Sequence, residues 1–231
     1  MSAALLLLFD IDGTLLQRSA GEHSRALREA AARVHGLPRL DGEVEAAGRT
    51  DGAIVRDLLL ASGVSEADAD ARWGEVQAAA AALFDDLCPP DLSDRVAPGV
   101  VALLTALVGR GDEFRLSLVT GNLEPVARLK LARAGLGRWF EPGQGAFGSD
   151  HRSRAALPPI ARRRAGGWPR SRTVVIGDTP RDIACARADG VRVAAVATGP
   201  FAVEALADAD AVVDDARSLL PVLEDFAARA A

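Results

Sequence analysis

Leu5-Leu6-Leu7-Leu8-Phe9-Asp10-Ile11-Asp12-Gly13-Thr14 is the stretch that decides how this chain is read. Five consecutive apolar residues are too few to span a bilayer, and without a basic head before them they do not form a signal-peptide core. They read as a buried central strand, and carboxylates at the end of such a strand need a cation, a metal or a catalytic task. Asp10 and Asp12 are two positions apart, so in extended geometry both side chains leave the same face, and Gly13 then lets the chain turn away without a Cβ. One carboxylate of such a pair can attack phosphorus beside a divalent cation while the other gives and takes a proton. A calcium loop is excluded, because it needs glycine at its sixth position and glutamate at its twelfth. Counted from Asp10, glycine stands fourth and Gly21 stands twelfth. The remaining alternative is a strand that ends in a solvated, Asp-rich turn.

With 231 residues, 49% of them hydrophobic and 26% charged, the chain suits a globular protein of one large or two modest domains. A net charge of −5 and a single basic triplet, Arg162-Arg163-Arg164, speak against a nucleic-acid partner. No run of sequence has the length of a membrane span, so no membrane partner is expected. Cys88 and Cys185 are far apart and form no metal-ligand spacing, and the expected compartment is a reducing cytoplasm. Of the 27 basic residues, Lys130 is the only lysine.

After Leu16 the pattern turns helical. Helices are expected over Gly21–His35, Val44–Thr50, Ala53–Ser62 and, as one long element capped by Ser65, Ser65–Leu87, until Cys88-Pro89-Pro90 stops it. Nothing between Gln17 and Asp94 reads as a strand. From Ala97 onward helix and strand alternate: helix Val100–Gly109, strand Arg115–Val119, helix Leu123–Ala134, short strand Gly145–Gly148, helix Arg154–Arg164. Strand Thr173–Ile176, helix Ile183–Ala188, strands Arg192–Val196 and Ala211–Val213, and a helix from about Ser218 follow. Such alternation implies an α/β fold: a Rossmann-like, mostly parallel sheet with helices on both faces. The expected division is a discontinuous core, 1–16 and 96–231, with an all-helical insert over 17–95. Hinges would fall near Leu16–Ser19 and Asp94–Pro98.

Ligands of such sheets sit beyond the carboxyl ends of the strands, so other chemical groups should follow strands too. Leu116-Ser117-Leu118-Val119 leads into Thr120-Gly121-Asn122, where a hydroxyl and an amide suit phosphate oxygens and Gly121 permits close backbone approach. Pro125 opens a helix whose first amides suit an anion, although an ordinary turn capped by Asn122 would look the same. Thr173-Val174-Val175-Ile176 leads into Gly177-Asp178-Thr179-Pro180-Arg181-Asp182. Asp178 stands where a magnesium ligand would be needed, while Asp182 is also the third residue of a helix capped by Thr179.

Together these three strand ends resemble the haloacid dehalogenase-like hydrolase superfamily, in particular its phosphoglycolate-phosphatase-like branch, over nearly the whole chain. The resemblance implies a helical cap over the site and a Mg2+-dependent transfer through an aspartyl-phosphate. Asp10 would be the nucleophile and Asp12 the general acid, then base. Thr120 would hold the phosphoryl group, and Asp178 would complete a metal site with Asp10 and Asp12. Asp182 would support the site from behind. Gly121 and Asn122, with Arg49 and Thr50 of the polar break Gly48-Arg49-Thr50-Asp51-Gly52, would contact the substrate, Arg49 by gripping a carboxylate or phosphate. A solvated loop remains the alternative there, and Glu22 and His23 are weaker candidates.

The chain departs from the family at one point. A lysine is expected at a helix start shortly before the strand that leads to Gly177-Asp178, and none is there. Arg154 begins the helix at that place, with Arg152 nearby, and Lys130 is the competitor, although it lies roughly 9–12 Å along its own helix. The expected activity is hydrolysis of a small phosphomonoester by a monomer or homodimer. A sugar-phosphate mutase and a non-catalytic binding protein on the same fold are the alternatives. Dehalogenation would need no general acid at Asp12, phosphonate cleavage would need a lysine in the cap, and no Gly-x-Gly-x-x-Gly follows the first strand to bind a dinucleotide.

Overall fold

The structure is a computed structural model, and it describes residues 4–230; residues 1–3 and 231, at the ends of the expected core segments, lie outside the described residues. Five parallel strands form one sheet in the order β2-β1-β3-β4-β5: β1 Leu5–Phe9, β2 Phe114–Leu118, β3 Thr173–Gly177, β4 Arg192–Val196 and β5 Ala211–Val213. β1 lies between β2 and β3, with Leu8 opposite Ser117 on one side and Val175 on the other. Helices cover both faces of this sheet, so β1 has no wet face, which is why its apolar run is unbroken.

The period of two divides β1 between the faces. Leu5, Leu7 and Phe9 join the apolar layer under α5 (Val100–Val108) and α9 (Leu219–Ala228). Leu6 and Leu8 join the layer under α7 (Leu157–Arg164) and α8 (Pro180–Asp189). α6 (Glu124–Arg133) follows β2 and packs with the first layer. Chain order reverses across β1, so a crevice opens between the carboxyl ends of β1 and β3.

Between β1 and β2 the chain makes four helices: α1 Gly21–His35, α2 Asp51–Ala61, α3 Glu66–Ala71 and α4 Trp73–Leu87. α1 and α4 pack along one another through Ala26, Ala30, Val76, Ala80 and Phe84, the alanines leaving room for the larger Phe84 ring. The linkers to this insert run antiparallel. Leu16 bridges Val96, the Gln17 amide donates to the Arg95 carbonyl at 2.8 Å, and Ala97 donates to Leu15 at 3.0 Å. Arg95 grips Glu22 with two bonds of 2.8 and 2.9 Å and donates to the Arg18 carbonyl, so an ion pair and a hydrogen bond tie the two linkers together. No helix among the described residues is long and apolar enough to cross a membrane.

Three local expectations change. Residues 41–50 contain no helix: Arg181 takes the Ala47 carbonyl at 2.7 Å, and Gly48, at φ 69°, lies against Thr179. Arg72, at φ −100° and ψ 9°, breaks the expected long helix into α3 and α4. Gly145–Gly148 gives only a single bridge, Ala146 to Val119, because Gly145 at φ 93° turns the chain out of extended conformation.

At two places packing can be tested. A Cβ on Gly121 would sit 2.0 Å from the Arg49 carbonyl oxygen, where the loop after β2 meets the insert. Gly121→Ala should therefore cost about 1–3 kcal/mol in urea unfolding, the range of overpacked sites. The Arg95 guanidinium, through hydrogen bonds first, lowers the Glu22 carboxyl from 4.5 to about 2. A depressed acid stabilises the fold above its unfolded value and loses that contribution as pH falls toward the folded value. The deficit in urea midpoint of Glu22→Gln against wild type should be full at pH 7 and shrink from about pH 4.5 downward; a constant deficit would mean that the ion pair contributes nothing.

Candidate active site

The carboxyl ends of β1, β2, β3 and β4 and the facing surface of α1 and α2 enclose a cavity of about 560 Å3. Asp10 follows β1, and its amide still donates to the Ile176 carbonyl, so the ladder holds the residue in place. Its carboxylate is buried and lies 3.2 Å from Nη2 of Arg154. The same Nη2 donates to Asp182, whose other oxygen accepts from the Thr179 amide at 3.0 Å and the Thr179 hydroxyl at 2.7 Å. Thr179 and Asp182 form a reciprocal cap on α8. Asp182 thus joins the helix cap to the arginine beside Asp10, which unites the two roles its position suggested.

Asp178 follows β3. Its Oδ1 accepts from the Thr14 hydroxyl at 2.9 Å, and its buried Oδ2 has no hydrogen-bond partner among the described residues. A Cβ on Gly13, which sits at φ 90°, would lie 2.1 Å from that oxygen, and a Cβ on Gly199 would lie 1.7 Å from it. Only glycines leave room there. Asp10, Asp178 and Asp182 each offer an oxygen within 4.8 Å of the others. Burial, and after it the charges of neighbouring carboxylates, push the carboxyls of Asp10 and Asp178 upward. An orphaned, buried carboxylate oxygen beside a second carboxylate fits a hard divalent cation. With Asp182 occupied by Arg154 and Thr179, the side chains free to hold one are Asp10 and Asp178.

Asp12 is not brought into that group. Its oxygens accept from Lys130 Nζ at 2.7 and 2.8 Å, from Asn122 Nδ2 at 2.8 Å and from the Ser19 hydroxyl. Burial alone would raise this carboxyl; the Lys130 ammonium first, then His23 and the Ser19 hydroxyl, together outweigh burial and hold it well below the usual carboxylate range. The expected metal set of Asp10, Asp12 and Asp178 is therefore divided. The backbone turn at Gly13 leaves the Asp12 carboxylate facing α6 and the insert, while Asp10 faces β3.

The two rivals for the missing lysine occupy different places. Arg154 stands against Asp10. Lys130, fully buried on α6, reaches Asp12, Asn122 Oδ1 at 2.9 Å and His23 Nδ1 at 3.2 Å. Its side chain does reach back toward the start of its helix, as helical side chains do. Thr120 is fully buried at the cavity wall, and Gly121 and Asn122 line the cavity beside it. The first amide of that turn is spent differently from expectation: Leu123 donates to Asp51 Oδ2 at 2.7 Å, and Glu124 donates to Ser149. The anion at this helix start is a carboxylate of the insert. Arg49 lines the cavity but directs its guanidinium to Asp57 at 2.6 Å and to the Ala53 carbonyl. The Thr50 hydroxyl donates to the Arg152 carbonyl and accepts from Ala53, as the cap of α2.

Four residues escaped the sequence reading. Asp51 is buried, bonds His23 Nε2 at 2.9 Å and sits one position from Thr50, in a segment read for its arginine. Ser19 touches Asp12. Thr198, whose hydroxyl donates to the Gly13 carbonyl at 2.5 Å, and Gly199 follow β4, so the rule of strand ends applied to a fourth strand would have found them.

The chain is 32% identical over 219 residues to a phosphoglycolate phosphatase of Rhodospirillum rubrum, covering 92% of this chain and 88% of that one. Among solved structures it resembles a β-phosphoglucomutase of Clostridium difficile (TM-score 0.68, 19% identity, 98% of each chain). It also resembles CbbY of Rhodobacter sphaeroides, solved in complex with phosphate (TM-score 0.62, 21% identity, 96% of this chain and 99% of that one). At those identities the solved structures speak for the fold alone. A family model of the haloacid dehalogenase-like hydrolases matches residues 7–187. With that match spanning most of the chain and the strand-end carboxylates in place, this protein belongs to the haloacid dehalogenase-like hydrolases.

Proposed function

We propose that this hydrolase is a Mg2+-dependent phosphatase of a small phosphorylated metabolite, phosphoglycolate or a sugar phosphate, working through an aspartyl-phosphate on Asp10. The observation that carries the reading is the division of labour at the end of β1. Asp10 shares its surroundings with Arg154 and the unsatisfied Asp178, while Asp12 is held apart by Lys130. A nucleophile and a proton carrier must not share one environment, and here they do not. The relative from Rhodospirillum rubrum supports the substrate class. Two buried free thiols, Cys88 and Cys185, support a reducing, cytoplasmic setting.

In this mechanism an Asp10 oxygen attacks phosphorus and the ester oxygen leaves; Asp12, ionised beside Lys130 in this structure, must first take up a proton before it can supply one to that oxygen. Water then attacks the same phosphorus, its proton passes to Asp12, the bond to Asp10 breaks, and phosphate departs. Arg154 and the Thr120 hydroxyl hold the phosphoryl oxygens. Mg2+, held by Asp10 and Asp178, would supply neutralisation of the charge on the transferring group. The helices of residues 17–95 act as a cap that excludes water and reads the leaving group, with Arg49 at the cavity wall and Thr50 behind it as the cap of α2.

The decisive experiment is phosphate release from phosphoglycolate, a sugar 1-phosphate and p-nitrophenyl phosphate, with Mg2+ and with chelator. Release that requires Mg2+ is expected; isomerisation of the sugar phosphate without release would make the protein a mutase. Asp10→Asn should lower kcat by about 10^4-fold or more while the folded state persists, since removing one of several close carboxylates relieves repulsion. Turnover that survives this change would sink the covalent mechanism. Arg154→Lys keeps a cation beside Asp10 and should retain most activity, whereas Arg154→Met should lose about 10^2–10^3-fold in kcat. If Lys130 rather than Arg154 serves the nucleophile, Arg154→Met will keep near-normal kcat.

A further inference from the structure

His23, Asp51 and Lys130 are buried and polar, and the mechanism above gives them no task. All three belong to one continuous chain of bonds. The Lys130 ammonium has three hydrogens and faces four acceptors, namely both oxygens of Asp12, Asn122 Oδ1 and His23 Nδ1, so one hydrogen is shared between the Asp12 oxygens. Since the ammonium donates to Nδ1, the proton of His23 sits on Nε2 and is donated to Asp51 Oδ2 at 2.9 Å. That carboxylate oxygen also accepts from the Leu123 amide at the start of α6. The ring of Phe84, on α4, closes the fourth side: His23 packs against it edge-on with centroids 5.6 Å apart, and Lys130 Nζ lies 5.9 Å from its centroid.

The loop therefore begins on the core, crosses to the insert through His23 on α1 and Asp51 on α2, and returns to the core at Leu123. Both oxygens of Asp12 are held by Lys130, with Asn122 and Ser19 beside it, and His23 and Asp51 of the insert act on that carboxylate by fixing the ammonium. A planar guanidinium could not converge on four acceptors around one nitrogen, which gives a physical reason for the single lysine among 27 basic residues.

We propose that Lys130, with His23 and Asp51 of the helical insert, is a positioning element that orients Asp12 as proton acceptor for the water that cleaves the aspartyl-phosphate. The inference rests on the phosphatase reading of the preceding subsection. In the assigned step the water oxygen bonds to phosphorus, the phosphorus–oxygen bond to Asp10 breaks with the electron pair returning to the carboxylate, and the water proton goes to Asp12. Seating of the insert is thereby coupled to hydrolysis of the intermediate, and not to its formation from an ester that needs no proton.

The test is rapid-mixing kinetics with p-nitrophenyl phosphate, whose leaving group departs without a proton. Lys130→Met should still give a burst of p-nitrophenolate approaching one per active site, followed by steady turnover slowed about a hundredfold, the scale of a mispositioned proton carrier. Intact-mass measurement during turnover should find the phosphorylated enzyme accumulated. His23→Gln and Asp51→Asn, which leave the ammonium in place, should show a burst of the same kind with a smaller slowing. If Lys130→Met does not fold, those two variants decide. Burst and steady rates falling together, or a steady rate equal to that of wild type, would overturn the positioning role. Wild-type protein that releases no p-nitrophenolate with Mg2+ would instead overturn the phosphatase reading.

Discussion

Everything in this protein depends on keeping two carboxylates at the end of a dry strand. β1 is apolar on both faces, so Asp10 and Asp12 emerge from it with little water to stabilise their charge. Each is balanced by its own cation from a different layer: Arg154 reaches Asp10 from the segment that precedes α7, and Lys130 reaches Asp12 from α6. Removing one partner of a buried pair costs far more than the pair contributes, so the positions of α6 and α7 are tied to the positions of the aspartates. The sheet order serves the same end, because the reversal across β1 opens the crevice where Asp178 and the loop after β4 complete the surroundings of Asp10.

The same arrangement leaves deliberate gaps in satisfaction. Asp178 Oδ2 is buried and unpartnered, between two glycines that leave it space. In a fold whose remaining buried carboxylates, Asp51, Asp182 and Asp189, all have close partners, such an exception marks where a cation is to be held rather than a packing fault. The insert follows the opposite rule. Asp51 takes the amide that would otherwise stand free at the start of α6, and Gly121 lets the Arg49 carbonyl approach, so the seated insert completes the core's hydrogen bonding.

The fold was legible because its decisive signals are local. Hydrophobic runs give β1 (Leu5–Phe9), β3 (around Val174, Val175 and Ile176) and β4 (around Val193 to Val196), and a serine or threonine before an acidic first turn marks the starts of α3 and α8. Failures came where a tertiary contact overrode local preference. Residues 44–50 have helical composition, yet Arg181 claims the Ala47 carbonyl; Ala146 meets Val119 but cannot extend into a strand past Gly145.

For the site, the sequence by itself determined which residues stand at strand ends, since chain order and the period of two place Asp10, Asp12, Thr120 and Asp178 there wherever the sheet forms. It also determined that a lysine was missing and that one lysine was kept. Only the tertiary structure decided the partners. Arg154, the first choice by position, and its competitor Lys130 stayed unresolved in one dimension because both are single cations near the right place. They separate in three dimensions because α6 and the segment before α7 lie against different sides of the same strand end. Asp51 had no sequence signal of its own and His23 only a weak one, since their role exists only where the insert meets the core, and a charge takes its meaning from what lies within about 4 Å of it.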